Sequence, residues 1–142
     1  MGRSLPIWSL LHKKYKMETP IDPKSIALKF NEYIGNADIE DLVGLMTDDH
    51  VFIDMANARI EGKLNNRKMA WEPFFRLFPG YHNIFEKILV KGSTVILQGY
   101  AVCSDEVLNN VRAIWIAEII KDKVSLWHIY PDTEQNRERW GL

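Results

Sequence analysis

VRAIWIAEIIKDKVSLWHIYPDT, residues 111–133, is the stretch that decides the fold. Two β-rich runs, 111–120 and 124–130, flank Lys121-Asp122-Lys123, a short charged spacer of the kind that joins antiparallel strands. The stretch therefore reads as a long hairpin. Side chains alternate along a strand, so Val111, Ala113, Trp115, Ala117 and Ile119 share one face, while Arg112, Ile114, Ile116, Glu118 and Ile120 share the other. The first is a core face. The second is mixed yet still apolar, so something other than bulk water covers part of it. In the second run the same alternation sends Trp127 and Ile129 inward and turns His128 and Tyr130 outward.

Upstream, 81–90 and 94–103 read as two further strands separated by Lys91-Gly92-Ser93. Val95, Leu97, Gly99, Ala101 and Cys103 give the second of these a small apolar face. Before them come helical patterns. Asp22-Pro23 is a helix start with Asp22 as cap, and Ile26, Leu28, Phe30, Tyr33 and Ile34 give an apolar side ending at Gly35-Asn36, read as a left-handed cap. A second helix runs from Asp38 and is expected to break at Thr47-Asp48-Asp49. Residues 50–55 form a first strand, with Phe52 and Asp54 on one face. A loop through Asn57, Gly62 and Asn65-Asn66 leads to a third helix, about 67–77, carrying Met69, Trp71, Phe74, Phe75 and Phe78. Pro73 predicts that this helix kinks or begins anew there. After Tyr130-Pro131, Asp132 is expected to cap a short last helix, with Gln135 completing a capping box. Helices first and antiparallel strands afterwards define an α+β class, with helices on one face of a curved sheet.

One domain accounts for the 142 residues. Residues 1–19 read as an amino-terminal extension, either an artefact of start-site choice or a basic arm, and 20–142 as the domain. The apolar piece 5–11 is too short to span a bilayer and precedes its basic run, the wrong order for a secretory signal. A formal net charge of −1 gives no general attraction to nucleic acid or to anionic membranes, so neither is an expected partner. Cys103 is the lone cysteine, so a disulfide framework is excluded and the cytoplasm is the expected location. The histidines lack metal-ligand spacing, so no metal and no cofactor is expected.

The order helix, helix, strand, helix, strands, with Val51-Phe52-Ile53-Asp54 ending the first strand, the run 74–82 (FFRLFPGYH) after the third helix and the closing Asp132, resembles the nuclear transport factor 2-like superfamily. Within it the chain resembles the SnoaL-like group, which includes ketosteroid isomerase-like and polyketide cyclase-like proteins. The resemblance implies a cone: a strongly curved antiparallel sheet wrapped around three N-terminal helices, with a deep apolar pocket. It also implies a homodimer through the outer sheet face, where Ile96, Tyr100, Val102, Ile114 and Ile116 lie.

Asp54 is the foremost site residue. In ketosteroid isomerase-like members a carboxylate at the matching strand end is a general base, because a carboxylate walled by aromatics loses hydration and takes a proton more readily. The other reading is that Asp54 bonds to backbone amides of the loop around Ala56 to Arg59. A developing oxyanion would need a donor, which Tyr33 or Tyr81 could supply. Phe52, Trp71, Phe75, Phe78, His82, Leu97, Trp115, Trp127 and Ile129 are the expected ligand-binding set, suited to a small apolar or aromatic molecule. The late strands carry Ala113, Trp115 and Ala117 where ketosteroid isomerases place a second acid. Arg112 lies on the wrong face for an epoxide hydrolase constellation, and His128 points away from the pocket as a cyclase histidine would not. Two functions stay open: a cofactor-free isomerase, cyclase or dehydratase, or a non-catalytic ligand-binding or dimeric interaction domain.

Overall fold

The computed structural model describes residues 22–142, so the proposed extension 1–19 lies outside the described residues. Helix α1 (Pro23–Gly35) starts as its sequence dictates: the Asp22 carboxylate accepts the Lys24 amide at 3.1 Å, and Pro23 occupies the first turn, where no N–H is missed. Ala27, Phe30 and Ile34 form its buried stripe. The left-handed residue after it is Ala37, with φ 53°, and not Gly35-Asn36. Glycine at position 35 leaves room for a close neighbour: a Cβ there would lie 3.3 Å from the Cβ of His82.

Helix α2 (Ile39–Gly44) is capped by Asp38 through the Asp41 amide. Thr47-Asp48-Asp49 does not form a break; it belongs to strand β1 (Met46–Ile53). This polar trio falls in an irregular stretch between two paired segments of the strand, with Asp48 and Asp49 exposed, and so escapes the usual alternation. Residues expected to be loop include strand β2 (Arg59–Glu61), paired antiparallel with β1. A helical turn, α3 (Lys63–Asn65), continues as π-helix over Asn66–Trp71 before α4 (Glu72–Leu77) begins anew around Pro73. Proline lacks an N–H and its ring excludes the carbonyl four residues back; a first helical turn tolerates both.

Strands β3 (His82–Lys91), β4 (Thr94–Val102), β5 (Arg112–Ile120) and β6 (Lys123–Pro131) follow, then helix α5 (Glu134–Trp140). The sheet order is β2-β1-β6-β5-β4-β3. Every pairing is antiparallel except β1–β6, which is parallel, a direction that hydrophobic alternation does not encode. The hairpin turn is tighter than expected: Ile120 pairs with Lys123, and Lys121 takes φ 57°. A register shift between Glu118 and Ile119 leaves Ser125 unpaired opposite them, with its hydroxyl donating to the Glu118 carbonyl at 3.2 Å. That bulge changes parity, so Val124 and Trp127, three residues apart, are both completely buried.

A second bulge, at Phe85 to Lys87 of β3, bends the sheet against Gly99 of β4. A Cβ on Gly99 would lie 1.8 Å from the Ile84 carbonyl oxygen, so only glycine allows this approach. Helices and the inner sheet face enclose the main core around Phe30, Leu42, Met46, Trp71, Leu97, Trp115 and Trp127.

The outer face is covered by the chain itself. Ile96, Ile114 and Ile116 are 0%, 0% and 2% exposed, packed with Leu89, Tyr130, Trp140 and Leu142. Ile96, Ile114 and Ile116, expected at the outer face, are thus buried within the single chain, while Tyr100 and Val102 stay half-buried. The cap of α5 is Thr133, whose hydroxyl accepts the Asn136 amide at 3.1 Å, in place of the expected Asp132. The Asp132 carboxylate turns under the helix instead, accepting from Arg137 Nη1 at 2.7 Å and Gln98 Nε2 at 3.2 Å. Among the described residues no helix is long and apolar enough to cross a membrane.

Candidate functional site

A cavity of about 460 Å³ opens between the inner face of the sheet and the helical arm that precedes β3. From β1 come Phe52 and, just past its end, Asp54; from the arm, Met69, Trp71 and Phe74; from β3 and the residue before it, Tyr81 and Asn83. The hairpin contributes Ala113, Trp115, Trp127 and Ile129, as its parity predicts. Met55, Ala56, Ile60, Ala70, Ala101, Leu108 and Val111 complete the wall.

Aromatic contacts organise this wall. Trp71 lies 5.1 Å from Phe52 and 5.8 Å from Phe74, centroid to centroid, and Phe74 meets Tyr81 edge-on at 4.8 Å. Behind the hairpin tryptophans, Phe85 contacts Trp115 at 5.1 Å and Phe30 contacts Trp127 at 4.8 Å.

Of the expected residues, Asp54, Tyr81, Phe52, Trp71, Trp115, Trp127 and Ile129 converge on the cavity. Tyr33, Phe75, Phe78, His82 and Leu97 do not. Tyr33 packs against the core from α1, and Leu97 is completely buried within it. Phe75 sits behind Trp71 at 5.7 Å, and Phe78 behind Phe74 at 5.0 Å. His82 is exposed, its Nδ1–H donating to the Gly80 carbonyl at 3.0 Å. Asn83 escaped the sequence reading although it shares the face of Tyr81, two residues before it. Leu108 and Val111 come from or border the 104–110 turn, where no periodicity exists to place a side chain.

Asp54 holds the loop after β1 and also lines the cavity. Its Oδ1 accepts the amides of Ala56 and Ala58, each at 2.9 Å, which holds the turn after β1. Its Oδ2 makes no hydrogen bond among the described residues, and the half-buried carboxylate borders the cavity. No Lys, Arg or His lies within ion-pair distance of it among the described residues. Burial pushes the Tyr81 phenol well above its ordinary value, and the Asn83 side chain opposes this in part. Asn83 Nδ2 donates to Asn31 Oδ1 at 3.1 Å, which ties β3 to α1.

Deeper in, His50 is completely buried, and its Nδ1–H donates to the Val124 carbonyl at 2.6 Å. Burial lowers its pKa to about 4. Asn66, also completely buried, donates from Nδ2 to the carbonyls of His50, Ile60 and Gly62 at 3.1, 3.1 and 2.9 Å. This amide fixes the start of the π-helical turn against the β1–β2 hairpin and thereby sets the position of Trp71. His128 stacks on Tyr130 at 3.9 Å on the outer side, as its parity predicts. Among the described residues no group of three or more His, Cys, Asp or Glu side chains is placed to hold a metal ion.

No protein-family model and no curated protein matches the sequence. Solved structures do match. A candidate SnoaL-like polyketide cyclase from Shewanella putrefaciens superposes with TM-score 0.69 at 16% identity, covering 99% of this chain and 98% of that one. An NTF2-like protein of unknown function from Cytophaga hutchinsonii gives TM-score 0.64 at 13% identity over 87% of this chain and 98% of that one. An LEH-like epoxide hydrolase from M. tuberculosis gives 0.64 at 17% identity over 76% of this chain and 80% of that one. The chain has the nuclear transport factor 2-like fold, an α+β architecture shared with SnoaL-like and ketosteroid isomerase-like proteins. That fold hosts several reactions, so function has to be argued from the cavity of this chain.

Proposed function

We propose that this chain is a small-molecule-binding domain that takes a largely apolar or aromatic ligand in the cavity between sheet and helical arm. One observation carries the reading: about 460 Å³ of space is walled by Phe52, Trp71, Phe74, Tyr81, Trp115 and Trp127, with Asp54 and Asn83 as polar groups on the same wall. Ligand sites are concave, mostly apolar and equipped with a few orienting polar groups, and this volume falls in their usual range.

A second reading, cofactor-free proton transfer in an isomerisation, cyclisation or dehydration, is favoured by the presence of Asp54 and Tyr81 in one cavity. Asp54 Oδ2 would act as base and the Tyr81 hydroxyl as donor. The binding reading takes precedence because Asp54 Oδ1 already serves the turn after β1. Unchanged turnover of an identified substrate by Asp54→Asn would remove Asp54 from any mechanism.

Filling the cavity tests the binding reading. Ala101 lies on its wall, cross-strand from Asn83, and Ala101→Phe places a ring in the space while leaving Asp54 unaltered. Calorimetric binding of 1-naphthalenemethanol is expected for the native chain and expected to disappear in Ala101→Phe, with circular dichroism unchanged. Equal binding by both would contradict it. Ala113→Leu, on the neighbouring strand, repeats the test with a smaller intrusion.

A further inference from the structure

Among the described residues lining the cavity, Asp54 is the only charged one. The arginines and the lysine within two positions of a lining residue do not line the cavity themselves. Arg59 pairs with Glu61, Arg67 with Glu40 and Glu72, and Arg112 with Glu86 and Asp132, while Lys68 and Arg76 are exposed and outside the lining. A half-buried carboxylate beside aromatic walls is therefore left without a counter-charge from the described residues. The two amides that it accepts both bind Oδ1, and Oδ2 stays open.

Two physical arguments converge on the kind of ligand that suits this arrangement. Removing a carboxylate from water is costly unless an opposite charge or hydrogen-bond donors compensate it, and the missing donor belongs at Oδ2. Aromatic faces carry negative potential and attract cations, tryptophan most strongly, and Trp71, Trp115 and Trp127 all contribute to the wall. An anionic ligand would meet Asp54 with no cation to offset the repulsion. A neutral ligand could donate a hydrogen bond to Oδ2 but would bring no counter-charge, and a charge-assisted bond is the stronger of the two.

We infer that the cavity is selective for a cationic ligand, an aromatic or alicyclic amine whose ammonium pairs with Asp54 Oδ2 while its apolar body fills the space between the tryptophans. The inference rests on the binding reading proposed above and narrows its ligand class. It also gives Asp54 a role that competes with proton abstraction, because a carboxylate committed to an ammonium is a poor base. The Oδ1 bonds to Ala56 and Ala58 then orient the counter-ion, holding Oδ2 toward the cavity.

Three probes of one shape and three charges test it: 1-naphthylmethylamine, protonated at pH 7, 1-naphthalenemethanol and 1-naphthoate. Calorimetric titration of the full chain is expected to rank the amine at least tenfold tighter than the alcohol, with the naphthoate weakest. In Asp54→Asn, whose Oδ1 can still accept the two loop amides, the amine and the alcohol are expected to bind within about twofold of each other. Equal binding of amine and alcohol by the native chain overturns the charge selectivity and leaves the binding reading standing. A preference for the amine that persists in Asp54→Asn overturns the assignment to Asp54. Binding of none of the three overturns the binding reading and this inference with it.

Discussion

The two faces of the β5–β6 hairpin are built from the same alternation and end in opposite states. The inner face presents Trp115, Trp127 and Ile129 to a cavity, whereas the outer face presents Ile114 and Ile116 to a helix of the same chain. What separates them is the size of what covers each face. On the outside, Trp140 and Leu142 fill the groove beside Tyr130. On the inside, the helical arm starts at Asn66 as a wide π turn and restarts at Pro73, so its aromatics line the space and do not fill it. Apolar character alone therefore does not tell a ligand wall from an interface or from plain core.

The strongest way to break both faces together is to unbend the sheet. Gly99→Ala forces a methyl against the Ile84 carbonyl, and because the struck atom is backbone, the loss is expected to exceed about 3 kcal/mol, the upper end of ordinary overpacking. Urea unfolding measures it, and a loss below about 1 kcal/mol would show that the bend does not need glycine.

Acidification probes the inner side through His50. His50 packs against Phe30, which in turn packs on Trp127 beneath the cavity. Burial lowers its folded-state pKa from 6.5 to about 4. Between those values the unfolded chain binds a proton that the folded chain does not, so stability falls as pH drops through this window and is insensitive to His50 above it. The His50 contribution is expected to reach up to about 3 kcal/mol at the acid end, at about 1.4 kcal/mol per pKa unit. Urea midpoints between pH 7 and pH 4 should accordingly fall further for the native chain than for His50→Gln, and parallel curves would refute the assignment.

Trp140→Ala sharpens the comparison from the outer side. Truncating a large, half-buried ring is expected to cost about 2 kcal/mol, less than at a fully enclosed site. It also uncovers Ile96, Ile114 and Ile116, so concentration-dependent self-association is expected by sedimentation while affinity for 1-naphthalenemethanol stays within about twofold. Loss of that affinity would mean that the two faces are not independent.

Much of this arrangement is legible in the sequence. Period-2 alternation places Trp115, Trp127 and Ile129 inside and His128 and Tyr130 outside, because alternation is a property of the strand backbone itself. Asp54 is singled out by sharing the face of Phe52 and by the family resemblance, Tyr81 only as one of several possible donors, and both line the cavity. The remainder depends on partners distant in sequence. Strand β2 is three residues long and polar at both ends, and it exists because β1 offers an edge. The parallel β1–β6 pairing joins strands from opposite ends of the chain. Asp132 has the chemistry of a helix cap, yet Arg137 and Gln98 offer it better partners, and Thr133 takes the cap. Tyr33 and Phe75 have the right residue types for a pocket, but the helices turn them toward other side chains.

The separation of an inner ligand wall from an outer, self-covered face is tested most directly by the indole N–H resonances of a ¹⁵N-labelled chain titrated with 1-naphthalenemethanol. The account predicts that Trp71, Trp115 and Trp127 shift together to saturation while Trp140 stays in place. Movement of Trp140 with the other three unmoved would contradict it.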